Sequence, residues 1–212
     1  GTEDAGHGGF PGYHFIVVFA GCFPASIFAL AAFKNRGSLS QQLEQWRVWM
    51  IVLLFVVLGL FTLVQTKIVH YSSMAYFPVS FLAAYTLEAM LDGRYTLRRW
   101  QNRTLLGLGG LFALLFLSVP FLLQQKAWLI ENIKDPFAKL NLQADVSWTG
   151  AEALVGLMLI VTLVVWQLRS RLLLRQRITL LFMGTALTLT LTTYIFVGKI
   201  EGYSQRAAIE YY

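Results

Sequence analysis

The chain is 212 residues long, 57% hydrophobic and only 13% charged, with a mean hydropathy of +0.59. Soluble domains carry about a quarter charged residues, so an ordinary globular protein is excluded and an integral membrane protein is expected. The net charge of +6 does not point to nucleic acid, because the basic residues lie in short stretches between apolar runs, where they set topology.

The first residue is Gly1, no signal-peptide pattern follows it, and the last residues, Ile209 to Tyr212, read as the start of an amphipathic segment. The chain is therefore expected to be a piece of a longer protein. Residues 1–14 form a polar, glycine-rich outer loop that carries Glu3, Asp4, His7, Tyr13 and His14; a plain glycine-rich linker is the competing reading. Six apolar runs follow, at Phe15–Phe33, Val48–Val64, Met74–Leu91, Leu105–Leu123, Ala151–Leu168 and Ile178–Val197. Each can cross ~30 Å of hydrocarbon as a helix. A single run must be helical to satisfy its own backbone in lipid, and the runs lack the alternation of a β-barrel. The expected fold is an all-α, polytopic bundle of about six transmembrane helices over 15–197, with 198–212 opening a further outer segment.

Basic residues orient the bundle. The stretches after spans one, three and five hold eleven Lys and Arg, among them Arg47, Arg98 and Arg177, while the other side holds six. The positive-inside rule places the eleven in the cytoplasm, so both ends of the chain face outward. Segments 65–73 and 124–150 then lie outside as well. In 124–150, Leu129, Ile133, Phe137 and Leu140 recur at near-helical spacing, which predicts a short interfacial helix that Pro136 bends or starts. Trp128 and Trp148 suit an aromatic belt.

No span carries a charge near its middle; Glu88 and Glu152 lie at span ends. Transporters and proton pumps hold ionisable groups at bilayer depth, which disfavours a small-molecule transporter. The sequence has no P-loop, HExxH or Cys/His metal pattern, and no cofactor is expected. Cys22 is the one cysteine, forms no intrachain disulfide, and reads as a small packing residue. Thr179, Thr185, Thr188, Thr190, Thr192 and Thr193 in the last span are expected to return hydrogen bonds to helix backbone or to bridge to a neighbouring helix, and Gly107, Gly109 and Gly110 to mark close helix contacts.

Chemistry is left to the outer face. The entry to span three runs Lys67-Ile68-Val69-His70-Tyr71-Ser72-Ser73-Met74-Ala75-Tyr76-Phe77-Pro78. As an α-helix it places Lys67, His70 and Tyr71 on one face, a cation, an imidazole and a phenol suited to a lipid phosphate. In the plainer reading Lys67 snorkels and Tyr71 and Tyr76 are belt residues. The run Lys67 to Tyr71 with Tyr76-Phe77-Pro78 resembles the "K-x-P-H-Y … Y-P" segment of bacterial GT-C membrane glycosyltransferases, a group that includes lipid A aminoarabinose transferases and relatives of the protein O-mannosyltransferases. His7-Gly8-Gly9-Phe10 with Tyr13-His14 and Gly21-Cys22-Phe23-Pro24 is similar to that family's "H-x-G-P … Y-Y … G-x-x-P-W" stretch, with Ala25 where the family has Trp. The run Lys199 to Gln205 resembles the junction with its carboxy-terminal domain.

The resemblance implies a multi-pass inner-membrane enzyme that moves a sugar from a polyprenyl-phosphate donor to a lipid or protein acceptor. It implies that Lys67, Tyr71 and the adjacent His70 hold the donor phosphate, with Glu3, Asp4, His7, Tyr13, His14 and Tyr76 facing the substrate. The family's catalytic acid matches no residue of this chain, which is expected to be inactive alone. A non-enzymatic membrane scaffold or assembly subunit is the alternative.

Overall fold

A computed structural model describes residues 12–34, 39–63, 69–168 and 172–204, and every regular element among them is helical. They are α1 (Tyr13–Gly21), α2 (Ala25–Ala32), α3 (Gln41–Leu63), a 3-10 helix (Val69–Ala75) running into α4 (Tyr76–Leu91), α5 (Arg99–Gln124), α6 (Lys126–Asn132) and α7 (Pro136–Leu142). A 3-10 turn (Ala151–Ala153) then leads into α8 (Leu154–Gln167), and α9 (Leu174–Thr192) passes through a π-helical turn (Thr193–Val197) into α10 (Gly198–Ser204).

Four helical stretches are long and apolar enough to cross a membrane: Gln41–Leu63, Ser72–Leu91, Arg99–Gln124 and Leu174–Tyr203. Their outward faces are apolar too. Val52, Phe55 and Leu60 of α3 and Leu111, Leu114 and Phe121 of α5 are exposed, which suits hydrocarbon and not water. This is the build of a membrane protein. Two of the six expected spans differ from the rest. The first is broken: α1 and α2 meet at a 113° bend through Cys22–Pro24, so the pair makes a fifth crossing only if taken together. The fifth expected span is the helix Ala151–Gln167, whose length falls at the lower limit of about 17 residues for a crossing.

The chain divides into two compact units, residues 1–106 and 107–212, with the boundary inside α5. In unit 1, α2 lies along α4, α3 along α4, and α1 against α2, α3 and the 3-10 helix. The α2 sequence allows this, because Ala29, Ala31 and Ala32 are buried and let the backbones approach. On α4 the buried residues Val79, Leu82, Thr86 and Ala89 form one stripe with a helical period. Gly93, at φ +70, ends α4, and the N–H groups of Gly93 and Arg94 bond the carbonyls of Met90 and Ala89 at 3.1 and 2.9 Å.

In unit 2, α8 packs along α9. A Cβ placed on Gly156 of α8 would lie 2.6 Å from the Ala113 carbonyl oxygen and the Leu117 nitrogen of α5, and one on Gly184 of α9 would strike Thr162. These are the intimate contacts of the unit. Gly107 and Gly110, expected to fill that role, have open space at the Cβ position. Five of the six threonines return bonds to the backbone: Thr185, Thr188, Thr190, Thr192 and Thr193 donate to the carbonyls of Leu181, Gly184, Ala186, Thr188 and Leu189 at 2.8–3.0 Å. The 124–150 stretch holds two short helices instead of one, and Pro136 starts the second, where its missing N–H costs nothing.

Candidate functional site

The outer-face residues proposed from sequence divide into those the structure describes and those it does not. Glu3, Asp4, His7 and Lys67 lie outside the described residues. His70 and Tyr71 lie on the 3-10 helix Val69–Ala75, at the mouth of α4. The backbone there is 3-10 and not α-helical, and Lys67, the third member of the expected face, lies outside the described residues. Tyr13 and His14 open α1, and α1 packs against this same 3-10 helix. His14 is fully buried, its ring 5.2 Å from Tyr13 and 5.8 Å from Phe61 near the end of α3. The two outer clusters of the sequence, 57 positions apart from His14 to Tyr71, therefore share one end of unit 1. Tyr76 follows directly as the first residue of α4 and is exposed.

A second polar cluster occupies one end of unit 2. Lys199 Nζ donates to Glu152 Oε1 at 2.6 Å and to the Ser147 carbonyl at 2.5 Å, and it lies 4.9 Å from the Trp148 ring centroid. The Gly150 N–H donates to the other Glu152 oxygen at 2.8 Å. The Trp148 indole donates to the Tyr203 hydroxyl at 2.9 Å, and Lys126 Nζ donates to the Ala144 carbonyl at 2.9 Å. Trp148 is buried against Phe196, so it is a core residue of unit 2 and not the belt residue its sequence position suggested. Trp128, by contrast, is exposed.

Two arginines counted as topological charges are also buried. Arg47 donates to the Ala32 carbonyl at 2.9 Å and to Glu44 at 2.9 Å, and Tyr85 donates to the same carboxylate. Arg177 donates through Nε and Nη2 to the Trp166 carbonyl, at 2.9 and 2.5 Å, with its guanidinium 4.6 Å from the Trp166 ring centroid. Each arginine thus satisfies a carbonyl near the end of one helix from the first turns of the next, a duty that falls to side chains wherever water is scarce.

Sequence reasoning had noted Glu152 only as a span-end charge and Lys199 only within a junction. Their 47-residue separation leaves no local pattern to read. The Glu44–Arg47 pair does carry a signal, an acid and a base at i,i+3. Among the described residues no three His, Cys, Asp or Glu side chains gather in a way that could hold a metal ion. No family model, curated protein or solved structure matches this chain.

Proposed function

We propose that this chain is part of an integral membrane glycosyltransferase that transfers a sugar from a polyprenyl-phosphate donor to a lipid or protein acceptor at the outer face of the inner membrane. In this reading the bundle makes six crossings, counting the bent α1–α2 pair and the short helix Ala151–Gln167, and both ends face outward. The observation that carries it is the packing of α1 on the 3-10 helix. Tyr13, His14, His70 and Tyr71 come from separate parts of the sequence, and their backbones converge at one end of one unit. A phosphate leaving group needs a cation and hydrogen-bond donors held in place before charge develops on it. In this reading Lys67, His70 and Tyr71 supply that chemistry.

The test is donor binding by the complete enzyme. A hydrogen bond to a charged group contributes about 1.5–3 kcal/mol, so Lys67→Ala should weaken donor affinity roughly tenfold to a hundredfold. Unchanged affinity at normal expression would return Lys67 to a snorkelling role. The chain alone should bind a polyprenyl phosphate weakly and release no radiolabelled sugar, because no residue here matches the family's catalytic acid.

A second reading, a non-enzymatic membrane scaffold, is favoured by the unit 2 cluster. There Glu152 and Lys199 are spent on each other and on backbone groups, the pattern of a structural fastening. Sugar transfer by the complete protein excludes this reading.

A further inference from the structure

Residues 92–98 join α4 to α5, two of the helices long and apolar enough to cross a membrane. So short a connection lies at a membrane face whichever way the chain is oriented. Its backbone is fixed at both ends. The N–H groups of Arg94 and Tyr95 both donate to the Ala89 carbonyl, at 2.9 and 3.0 Å. At the other end the side-chain oxygen of Gln101, a residue only 2% exposed, accepts from the Tyr95 hydroxyl at 2.9 Å and from the Arg98 N–H at 2.8 Å.

Four basic residues ride on this frame, and all are arginine: Arg94, Arg98, Arg99 and Arg103. Arg94 pairs with Asp92 at 3.6 Å. Arg98, Arg99 and Arg103 are exposed and, among the described residues, make no ion pair or side-chain hydrogen bond. That sets them apart from Arg47 and Arg177, which are buried on carbonyls. Arg99 and Arg103 stand at i and i+4 on α5, about 6 Å apart at Cβ, and the exposed Trp100 lies beside them. Orienting the chain asks only for positive charge, which lysine meets as well, and needs no fixed placement. Neighbouring guanidinium forks on a pinned turn offer more, because their paired donors match the oxygens of a phosphate.

We infer that Arg99 and Arg103 clamp the phosphate of an anionic phospholipid at this membrane face, with Arg98 adding charge. The source is a lipid because the turn between two crossing helices sits in the headgroup layer, the depth that Trp100 also suits. An anionic headgroup complements the unpaired arginines, whereas a zwitterionic one brings its own cation against them. This inference does not rest on the sugar-transfer reading.

The experiment titrates the full 212-residue chain in detergent with phosphatidylglycerol or phosphatidylcholine of the same acyl chains. Native mass spectrometry reads the affinity for the first bound lipid. Near an anionic headgroup each arginine is worth about fivefold, so phosphatidylglycerol should bind at least about tenfold more tightly. Arg99→Lys combined with Arg103→Lys keeps the charge but loses the forks. It should weaken phosphatidylglycerol about two- to tenfold, the range for one lost hydrogen bond, and leave phosphatidylcholine unchanged. Equal affinity of the parent chain for the two lipids overturns the proposal without any variant. Undiminished phosphatidylglycerol binding by the lysine variant also overturns it and leaves these arginines as topological charges. Displacement of the lipid by an equal concentration of glycerol 3-phosphate would assign the clamp to a soluble phosphate and overturn the lipid as occupant.

Discussion

Arg47 and Arg177 show how one residue type serves two purposes at a membrane edge. Each counts toward the basic asymmetry that orients the chain, and each also closes a helix end from across a turn. Arginine suits the second task because its planar fork offers several donors while its face stacks on an aromatic ring, here Trp166. Arg177→Lys keeps the charge, and hence the topology, but loses the paired donors and the stacking. It should lower stability by about 1.5–3 kcal/mol, the usual worth of a charged hydrogen bond, read as a drop in thermal midpoint in detergent with unchanged insertion. A midpoint equal to that of the parent chain would reduce Arg177 to a topological charge. Glycines divide as sharply. Gly156→Ala forces a methyl against the backbone of α5 and should cost about 1–3 kcal/mol through overpacking. Gly107→Ala meets nothing and should be neutral or slightly stabilising, since alanine favours the helix by up to about 1 kcal/mol.

Among the elements, the π-helical turn Thr193–Val197 has the clearest structural consequence. It inserts one residue into the helical ladder, which turns everything after it by about 100° relative to an uninterrupted helix. Lys199 and Tyr203 both follow it, and both reach the Trp148–Glu152 end of unit 2. Deleting the exposed Tyr194 should restore a plain α-helix and swing Lys199 off Glu152. In that background Lys199→Met should cost nothing further, whereas in the parent chain it should lower the thermal midpoint. Equal losses in both backgrounds would dissociate the turn from the ion pair. A π turn has no signature in a run such as Thr193-Tyr-Ile-Phe-Val197, so nothing local announced it. The same holds for the bend at Cys22–Pro24. Hydropathy averages straight through Cys22-Phe23-Pro24, and Pro24 was legible only as a motif residue. Helical class, the four long apolar spans and the back-bonded threonines could all be read from sequence, because each depends on residues within one or two turns or on the run itself. Burial of Trp148 could not, since its partners Phe196 and Tyr203 lie 48 and 55 positions away.

Taken over the whole molecule, the proposed orientation makes a direct prediction. In a Cys22→Ala background, a cysteine introduced at the exposed Ser40 should be shielded from an impermeant thiol reagent in intact cells, while one at the exposed Asn141 should label. The reverse pattern would put the Tyr13–Tyr71 end of unit 1 on the cytoplasmic side and remove the outer-face chemistry proposed for it. The candidate site was legible as residue types but not as an arrangement. Only folding brings α1 against the 3-10 helix, and α2, a charged stretch and α3 separate them in the sequence. One contact also limits how this protein can move. At Gly156 the α8 backbone lies so close to the α5 backbone at Ala113 and Leu117 that neither helix can slide or roll past the other without a collision. Residues 107–124 and α8 must then travel as a single block. α9 joins that block through Gly184, whose close approach to Thr162 ties it to α8, so slack in this part of unit 2 is left to the π turn beyond it, whose spare residue the helix can absorb or release, like a belt let out by a notch, without breaking its ladder.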